Sequence, residues 1–292
     1  MSLVPGAPLL AYMLERHRIY ELRAHGMPWP WTMDPILQEY RFCNVYRELD
    51  AVTVWIRENI REPFADHQNL WFMLCIARQI NWPPTLQALL DDKRAWPRGK
   101  VWEWARARQV MLDLQAAGEK VYTGAYMLNA HGIGPDDPTD KAYFTCRLVL
   151  DSVWQARAAI IPVLHQKSLE RLVAALQPYH GWGPFTAYEV ACDLRHTRYL
   201  QAAADVLTWA NPGPGAARGL NRLAGRPVAA RVPRAQAIEE MRSLLGQVQR
   251  RWPTTWPALE LREIEHSLCE FDKYERVRLG QGRPRARFTH QP

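Results

Sequence analysis

Apolar residues recur at three- and four-residue spacing along most of this chain, and that period commits it to helices. Ile36, Leu37, Tyr40, Val45, Leu49, Val52, Trp55, Ile56 and Ile60 mark one such stretch over 35–61. The pattern returns over 66–80, 100–117, 140–164, 167–176, 184–195, 199–209, 216–223, 233–249 and 257–272. Alternating runs rich in β-branched residues are nearly absent, and no Asn-Gly or Asp-Gly hairpin signal occurs. The expected fold class is therefore all-α. Corners fall at Pro/Gly clusters: Pro28/Pro30, Pro83-Pro84, Pro97-Arg98-Gly99, Gly132–Pro138, Pro178–Pro184, Pro212–Gly215 and Trp252–Pro257. None resembles a flexible linker, so the chain divides into an extension over 1–34, a compact helical body over 35–275 and a tail over 276–292.

Composition narrows the class of function. With 48% hydrophobic and 23% charged residues in 292, the chain buries a sizeable core and is not disordered. The longest apolar run, Leu70–Ala77, falls short of the roughly 18 residues that a membrane span needs. The start, MSLVPGAPLL, has no charged segment before its apolar stretch, so no secretion signal is expected. Cysteines 43, 75, 146, 192 and 269 are odd in number, scattered and never in CxxC pairs. That argues against a disulfide framework and a zinc site, and for a reducing compartment. His25, His131 and His180 are isolated in the sequence, so neither a metal nor a cofactor is expected. A net charge of +7 and 13 Trp suit nucleic acid, yet a large core and a solvated surface explain them equally well. The tail is more specific. Arg276, Arg278, Arg283, Arg285 and Arg287 stand there without an acid, which suits a phosphate-contacting arm better than the alternative of a disordered solubilising end.

Two segments carry local chemistry. Over 167–195 an amphipathic helix ends at Gln177-Pro178, a turn His180-Gly181-Trp182-Gly183 follows, and Pro184 opens a second helix. Gly181, Gly183, Thr186 and Ala187 match the Gly-x-Gly-x-x-Thr-Ala core of the helix-hairpin-helix element found in DNA-glycosylase-like proteins. Glycines bring backbone close to a phosphate, and the amides at a helix start attract it. An ordinary interhelix corner is the alternative. Phe185 occupies the place of the lysine of lyase-type glycosylases, so Schiff-base chemistry is unsupported. Asp205, 24 residues after Gly181, is the better match to the glycosylase aspartate, with Asp193 nearer. The second segment, Thr208-Trp209-Ala210-Asn211-Pro212-Gly213-Pro214-Gly215, feeds a helix carrying Arg218, Arg222 and, beyond it, Arg226. Such a turn is an anion site by physics, with a Pro/Gly corner followed by solvated arginines as the alternative. It is not a nucleotide-binding P-loop, because no Gly-Lys-Ser/Thr occurs anywhere.

Three further stretches, Phe42–Asp50, Tyr188–Val190 with Asp193-Leu194, and Glu265–Tyr274, join the TWANPGPGAARGL segment in a family resemblance spanning 35–288. Together they resemble the α-glutamyl/putrescinyl thymine pyrophosphorylase family, also described as amino-acid:DNA transferases. That family is related to the helical domain of 5-hydroxymethyl-deoxyuridine DNA kinases. The absence of a P-loop favours the transferase members. The resemblance implies a monomeric bacteriophage enzyme of thymidine hypermodification, acting in the cytoplasm of the infected bacterial host. Its substrates would be duplex DNA carrying 5-(pyrophosphoryloxymethyl)uracil and a small amine or amino acid, whose nitrogen displaces pyrophosphate. Arg47, Gly213, Gly215, Arg218 and Lys273 would then bind the pyrophosphate. Asp205, Glu270 or Asp50 would take the amine proton. The flipped base would rest against Tyr188, Trp209, Asn211 or Trp182, while Gly181, Trp182, Gly183, Thr186, Arg276, Arg283 and Arg285 hold the DNA.

Plainer readings stand beside these. Arg47/Asp50 and Glu270/Lys273 are each three apart and suit simple intrahelical ion pairs, worth a few tenths of a kcal/mol. Cys43 and Cys269 read as buried thiols. A monofunctional DNA glycosylase using Asp205, or a helix-hairpin-helix module that only binds duplex DNA, are the competing functions.

Overall fold

A computed structural model describes residues 4–124 and 138–289. His131 and most of the expected corner at Gly132–Pro138 lie outside the described residues. The helices in chain order are α1 (Ala7–Ala24), α2 (Pro35–Glu39), α3 (Ala51–Ile56), α4 (Leu70–Ile80), α5 (Pro83–Asp91), α6 (Trp104–Ala116), α7 (Lys141–Tyr143), α8 (Asp151–Gln155), α9 (Arg157–Leu164), α10 (Leu169–Leu176), α11 (Pro184–Leu194), α12 (Pro214–Leu223), α13 (Arg234–Gln249) and α14 (Leu261–Arg278). A 3₁₀ turn (Arg47–Leu49) precedes α3, and wider π-helical turns run over Arg57–Arg61 and Phe144–Leu150. No strand occurs among the described residues; an isolated antiparallel bridge joins Tyr40 and Arg287. The protein is all-α, and no described helix is long and apolar enough to cross a membrane.

The chain forms two compact units, Met1–Asp50 with Asp205–Pro292, and Ala51–Ala204. In the second, every residue of α4 is buried, so this helix forms the centre of that unit. Two of its buried residues are polar, and they fare differently. Arg78 gives Nη2 to Asp193 Oδ1 at 2.6 Å and to Thr53 Oγ1 at 3.0 Å, because a buried guanidinium must be paired. Gln79 is buried with no hydrogen-bond partner on either side-chain atom.

In the first unit α14 is the axis, burying Leu261, Ile264, Leu268 and Phe271. Helix α12 lies along it, and two glycines make the approach possible: a Cβ at Gly215 would collide with Cys269 Sγ, and one at Gly219 with the Leu268 carbonyl. Helix α1, in the stretch expected as an extension, packs on α14 through a unit that also contains α13. Its buried side is Leu9, Leu10, Tyr12, Met13 and His17.

Two expected helices and one expected corner differ. The stretch 35–61 is broken after α2, because Asn44 Nδ2 donates to the Leu49 carbonyl and Asp50 Oδ1 accepts the Asn44 amide. Side chains that bond the backbone this way compete with a helical ladder. Residues 199–209 form successive turns, in which Asp205 O accepts the amides of Thr208 and Trp209. Pro83-Pro84, read as a corner, starts α5, where their fixed φ suits the first turn.

Candidate functional site

Helix α14 supplies two adjoining clusters, both within the first unit. On one side Asp272, whose carboxylate is 1% exposed, accepts Arg218 Nε and Arg222 Nε at 2.8 Å each, and Arg276 Nε stands 3.8 Å away. Arg218 and Arg222 come from successive turns of α12, and Arg276 sits one turn along α14. Three guanidinium groups thus share one buried carboxylate, with a net excess of positive charge. Arg218 and Arg276 remain about 40% exposed at their side chains.

The other side faces the Phe42–Asp50 segment. Glu270 Oε2 accepts the Cys43 amide at 2.9 Å and pairs with Lys273 Nζ at 2.6 Å. Asp50 Oδ1 accepts Asn44 N at 2.9 Å and Nδ2 at 3.1 Å, while Oδ2 faces Arg47 Nε at 3.3 Å. Arg16 of α1 donates to Asn44 Oδ1 at 2.7 Å and to the Phe42 carbonyl at 3.1 Å. One ligand atom each from Cys43, Asp50 and His266 all lie within 4.8 Å of one another.

Burial dominates the protonation of this cluster. It raises the Asp50 carboxyl above the usual range, against the pull of Arg47 and the Asn44 amide. It pushes the Cys43 thiol up to about 12, helped by the Glu270 and Asp50 carboxylates. His266 is held neutral, well below its ordinary value, first by burial and then by Arg47, Arg262, Lys273 and Arg16. Tyr12 is buried, its hydroxyl has no hydrogen-bond partner, and desolvation and Glu270 hold it protonated.

Cys269 joins the clusters. It is exposed, not buried as expected, yet its sulfur is crowded above Gly215. Loss of water, then Glu270 and Glu265, push its thiol up to about 12, while Lys273 and Arg218 oppose them. One exposed position therefore senses charged groups from both sides of α14.

Several expected site residues have other tasks. The Gly213 amide donates to Glu265 Oε1 at 3.3 Å, an acid placed at the start of α12, and Gly215 faces Cys269. The expected backbone cradle for pyrophosphate is thus already occupied. Trp182 is 1% exposed and gives its Nε1 hydrogen to the Val149 carbonyl at 3.0 Å, so it serves the core of the second unit. Tyr188, Trp209 and Asn211 are buried too, and Arg234 lies over the Trp209 ring at 5.4 Å. None of these four offers an open face for stacking a base. Asp193 is consumed by Arg78, and Asp205 is half-buried in a turn outside the helices.

The hairpin itself is helix, turn and helix, from α10 to α11. Gly181 has φ +74°, and Val149 stands where its Cβ would go. Gly183 has open space around it at the N-terminus of α11, and Thr186 is half-buried in the first turn. In the tail Arg283 and Arg285 are exposed, but the strand-like stretch around them is docked: Ala286 O accepts Arg41 N at 3.1 Å, Phe288 N donates to Glu39 O at 2.8 Å, and Phe288 stacks on Trp29 at 5.5 Å. Asp272, Arg16, Asn44 and His266 were given no role from sequence, whereas Arg222 was read with Arg218 as part of an anion site. Only the four-residue spacing of Arg218 and Arg222 hinted at a shared partner.

Comparison with known proteins now fits onto this geometry. Over residues 7–283 the chain matches the family described as 5-hmdU DNA kinase, helical domain. A 5-hmdU DNA kinase of Bacillus phage SP10 is 28% identical over 225 residues, covering 71% of this chain. The match takes in 34% of that protein, so the chain spans about a third of the relative's length. No solved structure matches. With nearly its whole length matched, the chain belongs to the 5-hmdU DNA kinase helical-domain family.

Proposed function

We propose that this protein is a bacteriophage enzyme of thymidine hypermodification that transfers an amine or amino acid onto DNA by displacing pyrophosphate from 5-(pyrophosphoryloxymethyl)uracil. The observation that carries this reading is the convergence of Arg218, Arg222 and Arg276 on the buried Asp272. Both of the first two arginines are held through Nε; Arg222 is 6% exposed and braces the carboxylate, while the 41% exposed Arg218 keeps its Nη groups for a polyanion. The phage relative is a 5-hmdU DNA kinase, and that name supports DNA with a 5-substituted uracil as the substrate class.

In the transfer the amine lone pair forms a C–N bond at the exocyclic methylene as the C–O bond to pyrophosphate breaks. Arg218, Arg276 and Lys273 neutralise the charge that develops on the leaving group. The amine proton passes to a carboxylate, and Glu270 suits that role best. Its Oε2 is engaged by Cys43 and Lys273, which leaves Oε1, whereas both Asp50 oxygens already accept. Gly183 and Thr186 at the start of α11, with Arg283 and Arg285, contact the DNA backbone. A glycosylase would need a carboxylate poised for water; Asp193 is locked to Arg78, so that reading rests on Asp205 alone.

The test is pyrophosphate release from a duplex carrying the pyrophosphorylated base, with and without added amines. Release that requires both the modified duplex and an amine supports transfer; free base with abasic sites would mark a glycosylase instead.

A further inference from the structure

We propose that Cys43, Asp50 and His266 form a binding site for a divalent transition-metal ion of the zinc type. The proposal stands apart from the transferase reading, since it rests on the placement of these three side chains alone. One sulfur, one carboxylate oxygen and one imidazole nitrogen lie within 4.8 Å of one another, from the loop after α2, the end of the 3₁₀ turn and the middle of α14. Around zinc, with bonds of about 2.0–2.3 Å, tetrahedral ligands lie roughly 3.3–3.8 Å apart, so a small closure completes the site.

A second observation points the same way. His266 Nε2 is buried and has no hydrogen-bond partner, a costly state for a polar atom unless something completes it. A neutral imidazole with a bare nitrogen is the form that binds metal. The mixed sulfur, nitrogen and oxygen donors favour zinc or cobalt over magnesium or calcium, which take oxygen alone. Outer contacts already fix the ligands. Glu270 Oε2 holds the Cys43 amide, and Asn44 holds Asp50 by two hydrogen bonds to Oδ1. Three protein ligands would leave a fourth position for water or a substrate oxygen.

Positive charge opposes the ion, because Arg47 faces Asp50 Oδ2 and Arg16 and Lys273 stand nearby. Two things offset it. On binding, the Cys43 S–H bond breaks, the sulfur lone pair forms the metal bond and the proton leaves to solvent. The Arg47 contact, at 3.3 Å, is longer than the bonds from Asn44 to Asp50, so it is the one a metal ion would displace from the Asp50 oxygen.

Cobalt(II) titration of the full-length protein tests this through the sulfur-to-cobalt charge-transfer absorption. We expect one equivalent to bind, zinc to displace it, and zinc to raise the melting temperature of the wild-type protein. Cys43→Ser abolishes the band and Cys269→Ser keeps it; His266→Ala weakens zinc binding roughly tenfold or more. Absence of both the band and the thermal shift in wild-type protein overturns the proposal whatever the variants do. A band that survives Cys43→Ser and disappears in Cys269→Ser overturns it as well.

Discussion

Arg218 meets Asp272 through Nε alone, at 2.8 Å, with the carboxylate 1% exposed and the arginine side chain 41% exposed. The buried partner fixes the direction of the guanidinium while its outer edge stays open to solvent. Such a fork is pre-organised for a phosphate, and a lysine cannot reproduce it. Arg218→Lys should therefore lower the rate of pyrophosphate release roughly tenfold or more while hardly moving the urea midpoint, because a half-exposed arginine adds little to stability.

Removing the anchor should do the reverse. Asp272→Ala leaves three guanidinium groups facing each other without their shared counter-charge. Breaking a buried pair in this way costs about 3–5 kcal/mol, which urea denaturation followed by circular dichroism would resolve.

The approach of α12 to α14 depends on Gly219, whose missing Cβ leaves room for the Leu268 carbonyl. A backbone oxygen cannot move aside as a side chain does. Gly219→Ala should destabilise by about 1–3 kcal/mol, read as a lower melting temperature, with Gly215→Ala milder because the Cys269 sulfur can rotate.

Glu263 gives the fold a pH dependence. It is buried at the start of α14, where Oε2 accepts the Glu260 amide at 2.8 Å and Arg262 stands 3.6 Å away. Desolvation raises its carboxyl to about 7 despite Arg262. The native state thus keeps a proton that the unfolded chain releases at its ordinary value of about 4.3. Stability from this group is complete below that value, falls as pH rises towards 7, and changes no further above it. The loss is on the order of 3 kcal/mol. Denaturation between pH 4.5 and 8 should show this slope, and Glu263→Gln should flatten it.

Much of the architecture was legible because helices with one buried stripe announce themselves by period. The stretches at 66–80, 167–176, 184–195, 216–223, 233–249 and 257–272 became α4 and α10 to α14. The breaks in 35–61 were hidden, since Asn44 and Asp50 act through backbone bonds that no apolar pattern records. Helix α1 escaped notice because its buried stripe is interleaved with Glu15, Arg16 and Arg18. The Trp excess also settles on one side: seven of the 13 are buried, among them Trp182 and Trp209. The arginines of α12 were readable as an anion site; Asp272, which aims them, was not. Nor was the meeting of Cys43, Asp50 and His266, which only tertiary packing brings together.

The most direct measurement is nucleoside mass spectrometry of a duplex carrying 5-(pyrophosphoryloxymethyl)uracil after incubation with the protein and a panel of amines and amino acids. The account predicts a nucleoside heavier than thymidine by the added amine, formed with one equivalent of pyrophosphate and lost in Arg218→Ala. An unchanged nucleoside profile with every donor, or free base released from the duplex, would contradict it.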